Sequence, residues 1–277
     1  DLVRSRGLGD VYKRQMLQSL ERPTNGPDNA KLFSPAEWQA RCDLAALYRL
    51  IAHYRMTDLI DTHITLRLPG PEHHFLINRY GVAFERMRAS DLVRIDLNGE
   101  PVDPRPGPHR VNPAGFVIHS AIHAAREDMC CIVHTHTAAG MAVAAQEAGL
   151  LPITQHALKF YSKLAYHTYE GIALSLEERA RLVADLGSNK AMILRNHGLL
   201  GGGANVAEAF HEIYFLERAC QAQVQALAGG QALHYPSEEV CVHTAEQFSR
   251  EGAEGIIQLA WEAALSLIEA QRDDYQS

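Results

Sequence analysis

The residues whose types and spacing could do chemistry are histidines. The chain has 15 of them in 277 residues, and two stand in Cys130-Cys131-Ile132-Val133-His134-Thr135-His136-Thr137. The apolar run predicts a strand. On a strand, side chains at i and i+2 share a face, so His134 and His136 point the same way, at a separation suited to chelating one ion. The alternative is a pair of polar residues at a strand end, hydrogen-bonded to their neighbours. A third candidate, His197, follows the apolar segment Ile193-Leu194-Arg195 at the turn Asn196-His197-Gly198. Strand ends in α/β sheets are where ligands collect. Three imidazoles suit Zn²⁺, or another divalent transition metal, and leave a fourth position open, as catalytic rather than structural zinc sites do. Spacing alone does not bring His197 beside His134.

Something must position these side chains, and the composition allows it. Hydrophobic residues make up 47% and charged residues 21% of the chain, enough for one large core. The net charge of -7 argues against nucleic acid or an anionic membrane as partner, because both attract clustered Lys and Arg. No apolar run approaches the roughly 20 residues that span a bilayer. The five cysteines, an odd number, suggest small buried hydrophobes in a reducing, cytoplasmic setting rather than a disulfide framework. Residues 1–15 differ in composition from the rest of the chain and look like translated vector or adapter sequence, so they read as a non-native leader before Met16, without an apolar signal region. Residues 16–32, rich in Pro, Gly and Asn, read as a flexible lead-in.

The body of the chain alternates strand and helix signals. Ser34, Pro35 and Glu37 open a helix carrying Leu44, Leu47, Tyr48 and Ile51 on its apolar stripe. Strands are expected at Asp61–Leu68, Phe75–Asn78 and Val93–Leu97, with a turn at Asn98-Gly99 and a proline-rich loop to Pro113. Then come a helix from Gly115 to Arg126, the strand Cys130–Thr137, a helix Ala138–Ala148, an extended piece Leu164–Thr168, a helix Leu176–Leu186 and the strand Ala191–Arg195. Asn205 caps a long helix to about Ala228, with Glu208 as capping partner, and a last helix is expected from Ala245 to Gln271. One α/β domain over 33–229 with a C-terminal helical extension over 230–277 is the economical partition.

His-Thr-His after an apolar strand, followed about sixty residues later by Arg195-Asn196-His197-Gly198-Leu199, resembles the class II aldolase/adducin family. So do His74-Phe75-Leu76-Ile77-Asn78-Arg79-Tyr80-Gly81, the stretch from Val111 to Arg126, and Gly149-Leu150-Leu151-Pro152-Ile153-Thr154-Gln155. These stretches look closest to the adducin-head branch, and the match runs over most of Phe33 to Ala228. The resemblance implies a single three-layer α/β/α domain of the fuculose-phosphate aldolase-like type, Zn²⁺ held by His134, His136 and His197, and a homotetramer.

The chain departs from the family's sugar-phosphate aldolases where their chemistry lies. Their acid/base glutamate, at the start of the helix before His-x-His, falls at Gly115. Two phosphate-contacting serines fall at Pro113 and Ala114, a phosphate-contacting asparagine at His63, and a phosphate-contacting threonine at Tyr80. Gly115 is therefore expected to leave the metal pocket open, and a phosphorylated substrate is not expected. His119, one helical turn after Gly115, is a candidate base or a structural histidine beside the metal. His156 and Tyr161, after Gln155, are further candidates by resemblance. Two readings remain: a metal-dependent lyase or isomerase acting on a small, non-phosphorylated hydroxylated carbonyl compound, or a non-catalytic adducin-head-like module with a vestigial metal site. Cytoskeletal adducins add a neck and a lysine-rich tail. This chain closes on Arg272-Asp273-Asp274 and its neighbours, so the resemblance does not carry actin or spectrin binding.

Overall fold

The structure, a computed structural model, describes residues 32–105, 109–171 and 177–277. The leader and nearly all of the lead-in lie outside the described residues, as do Leu176, the side chains of Pro113 and Ala114, and part of the proline-rich loop.

The strands are β1 (His63–Arg67), β2 (Phe75–Asn78), β3 (Leu92–Ile95), β4 (Cys131–Thr135), β5 (Leu164–His167), β6 (Ala191–Leu194) and β7 (Gly198–Gly203). They form one sheet in the order β3-β2-β1-β4-β7-β6-β5. Every neighbouring pair is antiparallel except β5 with β6. The helices are α1 (Pro35–His53), α2 (Pro113–Ala125), α3 (Ala138–Ala144), α4 (Gln155–Leu158), α5 (Glu178–Leu186), α6 (Val206–Ala228), α7 (Glu238–Phe248), α8 (Ile256–Ser266) and α9 (Arg272–Tyr275).

The period of two along each strand divides the interior into two layers. Cys131 and Val133 of β4, with Ile193 and Leu199, join the core beneath α1, α3 and α6. Ile132, with Met192, Leu194 and Leu200, faces Ile118 and Ile122 of α2 and Leu182 and Leu186 of α5. This is the three-layer α/β/α arrangement that the sequence suggested. Ser34 and Asn205 cap α1 and α6 as expected, accepting from the backbone N–H of Glu37 and Glu208. The Glu37 carboxylate turns to Arg41 and Arg94.

Two expectations fail for identifiable reasons. Strand β7 reads Gly-Leu-Leu-Gly-Gly-Gly, and glycine is depleted in strands, so the sequence does not announce it. Gly201 and Gly203 are there because α6 lies almost on the strand, whereas Gly198 faces Thr135, and Gly202 faces Met129 and Cys131. A Cβ at Gly203 would sit 2.4 Å from Glu208 Cβ, and one at Gly201 would sit 3.0 Å from the Ile213 backbone N. The single helix expected from Ala245 to Gln271 is instead α7, α8, a one-turn helix Glu269–Gln271 and α9. The break falls at Gly255, whose φ of 75° is left-handed and costs glycine little. These pieces are not peripheral: Trp261, Ala264, Ile268 and Tyr275 join the main core, and Asp274 pairs with Arg49 and Arg88.

Candidate metal centre

His134 stands on β4 and His136 two residues later, just beyond the strand's end. His197 sits in the tight connection from β6 to β7, after Asn196 in left-handed conformation (φ 56°). Because β4 pairs with β7, and β7 with β6, the three side chains arrive at one point. Nε2 of His136 lies 2.8 Å from Nε2 of His134 and 2.9 Å from Nε2 of His197. Among the described residues this is the group of His, Cys, Asp or Glu side chains close enough together to hold a metal ion.

The outer nitrogens have fixed partners. His134 Nδ1 lies 2.9 Å from the Leu199 carbonyl oxygen, and His136 Nδ1 lies 3.0 Å from Asp58 Oδ2. A carbonyl or carboxylate oxygen can only accept, so both Nδ1 atoms carry a proton, and in the neutral ring Nε2 presents a lone pair. Burial, then the nearby His197 and His63, holds His134 well below the usual imidazole range, and burial with His136 brings His197 down to about 4. Neutral imidazoles are what a metal requires. The donor set therefore fits a divalent transition metal.

The three histidines border a cavity of about 440 Å³, together with Asp61, His63, Tyr80, Asn112 and Tyr169. Behind His63, a stripe of α2 is laid across β1. His63, Thr65 and Arg67 alternate onto the α2 side of the sheet, where Gly115, His119 and His123 follow at helical spacing. Thr65 Oγ1 lies 2.7 Å from both His119 Nδ1 and His123 Nε2. His123 also reaches the Met129 carbonyl oxygen and stacks on Phe75. The His63 ring packs 4.3 Å from that of His119 and 5.2 Å from that of His134.

The other candidates fall away from the cavity. His119 lies behind His63 and does not border it. His156, on α4, is exposed and stacks on Phe215 of α6. Tyr161 follows α4 and also does not border the cavity of its own chain. Nor is the pocket open at Gly115. A Cβ built there would lie 2.6–2.8 Å from three atoms of the His63 ring, so an imidazole occupies the space that the glycine was expected to leave.

The buried histidines make stability depend on pH. Burial, reinforced by Arg67, holds His123 at about 3; burial, reinforced by Lys159, holds His211 at about 4. Both lie below the unfolded value near 6.5. Their contribution is thus present above pH 6.5 and lost as pH falls toward the folded values, by up to about 1.4 kcal/mol per pH unit for each imidazole. Denaturant midpoints of the metal-free protein are expected to fall steadily from pH 6.5 to 4; a flat profile would contradict this.

The profile of the Class II Aldolase and Adducin N-terminal domain matches residues 42–224. The chain belongs to this family. An aldolase II superfamily protein from Pseudomonas syringae, of known structure, superposes with a TM-score of 0.84 at 49% identity, over 88% of this chain and 98% of that one. L-fuculose 1-phosphate aldolase from Glaciozyma antarctica PI12 gives 0.76 at 28% identity, over 95% and 99%. Alpha-adducin of Rattus norvegicus is 46% identical over 197 residues, which is 71% of this chain but 27% of the adducin. The two halves of the family, aldolases and adducins, are thus both represented among its relatives.

Reading the sequence of this class II aldolase family member did not single out Asp58, Asp61, Asn112 or Tyr169. All lie outside the regular elements of the fold, and only Asp61 fell within an expected one, as the first residue of the strand expected at Asp61–Leu68, which in the structure begins at His63. Asp61 accepts from the Tyr80 hydroxyl at 3.2 Å, and Tyr169 lies 6.3 Å from the His197 ring.

Proposed function

We propose that this chain holds a divalent transition metal, Zn²⁺, through His134, His136 and His197, and acts as a metal-dependent lyase or isomerase on a small hydroxylated carbonyl compound without a phosphate. The observation that carries the reading is the convergence of three Nε2 atoms, two of them on rings anchored through Nδ1, at the wall of a substrate-sized cavity. Zinc bound there would supply a Lewis acid for a carbonyl or hydroxyl oxygen.

The chain's own residues define the rest. The Leu199 carbonyl and the Asp58 carboxylate fix the ring orientations of His134 and His136. None of the described residues bordering the cavity is Lys or Arg, the usual partners of a phosphate. By resemblance, Gly115 replaces the aldolases' acid/base glutamate, and Pro113 and Ala114 replace two phosphate-contacting serines. The same reading includes a homotetramer, a cytoplasmic location, and a division at residues 229 and 230 between the aldolase-like domain and the helical extension. No described helix is long and apolar enough to cross a membrane. Light scattering that finds only a monomer at micromolar concentration would remove the tetramer.

The identity with alpha-adducin, together with Gly115, favours a second reading, a non-catalytic binding module with a vestigial metal site. Metal analysis separates the readings when combined with assays on non-phosphorylated retro-aldol and decarboxylation substrates. Metal-dependent turnover is expected. Bound metal with no turnover on any of them supports the module instead, and efficient cleavage of a sugar phosphate overturns the substrate class.

Asp58 supplies a sharper check on the metal. Carboxylates that hold a ligating imidazole typically contribute 10–100-fold to metal affinity. Asp58→Ala is therefore expected to weaken zinc binding by about that factor in a competitive chelator titration. Unchanged affinity would mean that the Asp58–His136 contact has no bearing on a metal.

A further inference from the structure

We propose that the crevice between the sheet and helices α7 and α8 is a second ligand site, which takes the phosphate group of a small molecule on Lys159, Lys163 and Lys190. It shares no residue with the cavity at the converging histidines and does not depend on a metal.

The place follows from the topology. Lys163 immediately precedes β5 and Lys190 immediately precedes β6, whereas His197 follows β6. The crevice and the metal centre therefore lie toward opposite ends of the same strand. α6 supplies one wall with Glu208 and Glu212, one helical turn apart. α7 supplies Ala245 and Phe248, Ser249 follows it, and Ile257 comes from α8. The space between them is about 470 Å³, enough for a small phosphorylated molecule.

The cations distinguish this crevice. Of the chain's 26 Lys and Arg residues only five are lysine. Three of the five lie among the described residues, and all three border the crevice. Elsewhere among the described residues the cations that pair with carboxylates are arginine or histidine, as at Arg41, Arg105 and His136. The planar fork of arginine suits flat, two-point contacts, while an ammonium is a compact point charge with three donors. Lysines arriving from separate segments suit the tetrahedral oxygens of a phosphate.

Their charges are not cancelled. Lys159 Nζ lies 2.8 Å from Glu212 Oε1, and Lys190 Nζ lies 2.8 Å from Glu208 Oε2. Lys163 makes no ion pair among the described residues; its ammonium donates to the Ala245 carbonyl at 2.9 Å and to the Ser249 hydroxyl. Three ammoniums thus stand against two carboxylates, a positive spot on a chain of net charge -7. Such a spot concentrates anions. Each ammonium keeps at least one donor for a ligand. Phe160 and Phe248, whose rings lie 5.6 and 5.7 Å from the Lys159 ammonium, join Ile257 as an apolar side for the body of the molecule.

The test is titration calorimetry of the full chain, in phosphate-free buffer, with inorganic phosphate, glycerol phosphate and acetate as probes. Lys163→Gln and Lys190→Gln remove the two exposed ammoniums. Lys159 is left in place, because its loss would bury Glu212 without a partner. His136→Ala reports on anion bound at the metal centre instead. Both phosphates are expected to bind once per chain, and each lysine variant to weaken them about tenfold, as loss of one charged hydrogen bond does. His136→Ala should leave them unchanged. Tighter binding of glycerol phosphate than of phosphate supports a phosphorylated organic ligand, and equal or weaker binding supports phosphate itself. No binding of either at millimolar concentration overturns the proposal. So do affinities unchanged in both lysine variants, lost in His136→Ala, or matched by acetate.

Discussion

Replacing His134, His136 or His197 with alanine is expected to weaken zinc binding on the order of a hundredfold or more while leaving the metal-free fold intact. Structural zinc sites are bound with roughly 10–16 kcal/mol over four ligands, so one imidazole carries on the order of 3 kcal/mol. The apo protein gives the prediction a second signature. With Nδ1–H committed to Leu199 and Asp58, the Nε2 lone pairs of His134 and His136 face each other at 2.8 Å. Between two neutral rings that contact is repulsive unless a proton or a metal cation lies between them. At a pH where both rings are neutral, truncating His136 should therefore leave metal-free stability unchanged or raise it, contrary to what losing a half-buried ring in a packed core would do. Zinc at about a hundred times its Kd should stabilise wild type by about 2.7 kcal/mol, a rise in Tm of several degrees. The three variants should lose that rise. Thermal melts with and without zinc decide it, and a zinc-induced rise that survives in all three variants would exclude the site.

Gly115→Glu is expected to damage the protein rather than restore an aldolase. In sequence terms the substitution returns the family's acid/base residue. In the structure the first atom of that side chain collides with three atoms of the His63 ring. Overpacking of this kind costs roughly 1–3 kcal/mol. The single variant should therefore melt several degrees lower and gain no retro-aldol activity. Gly115→Glu combined with His63→Ala removes the obstacle. The double variant should recover most of the lost stability, and its departure from additivity measures the clash. Retro-aldol activity on small aldol substrates with zinc supplied is expected to appear, if anywhere, in the double variant. A Gly115→Glu protein as stable as wild type would show that His63 yields freely and that the two positions are not coupled.

The sequence by itself determined the architecture and the identity of the converging histidines. The caps at Ser34 and Asn205, the strand Phe75–Asn78 and the helix ending at Ala228 were legible because local propensity and packing agreed there. His134 and His136 were legible because alternation along a strand is a local rule. His197 was named from its place at a strand end, but its distance from His134 is set by the pairing of β4 with β7 and β7 with β6, which spacing does not encode. Strand β7 was hidden because its glycines answer to the close approach of α6 at Gly201 and Gly203 and of β4 and its neighbours at Gly198 and Gly202, contacts between different elements. The final helix was read as continuous because a glycine inside an apolar pattern does not reveal whether it will adopt positive φ; Gly255 does. Only the tertiary structure decided what stands at Gly115. Composition left a gap there, and the fold fills it with His63, delivered from a strand that is distant from α2 in the chain and beside it in space.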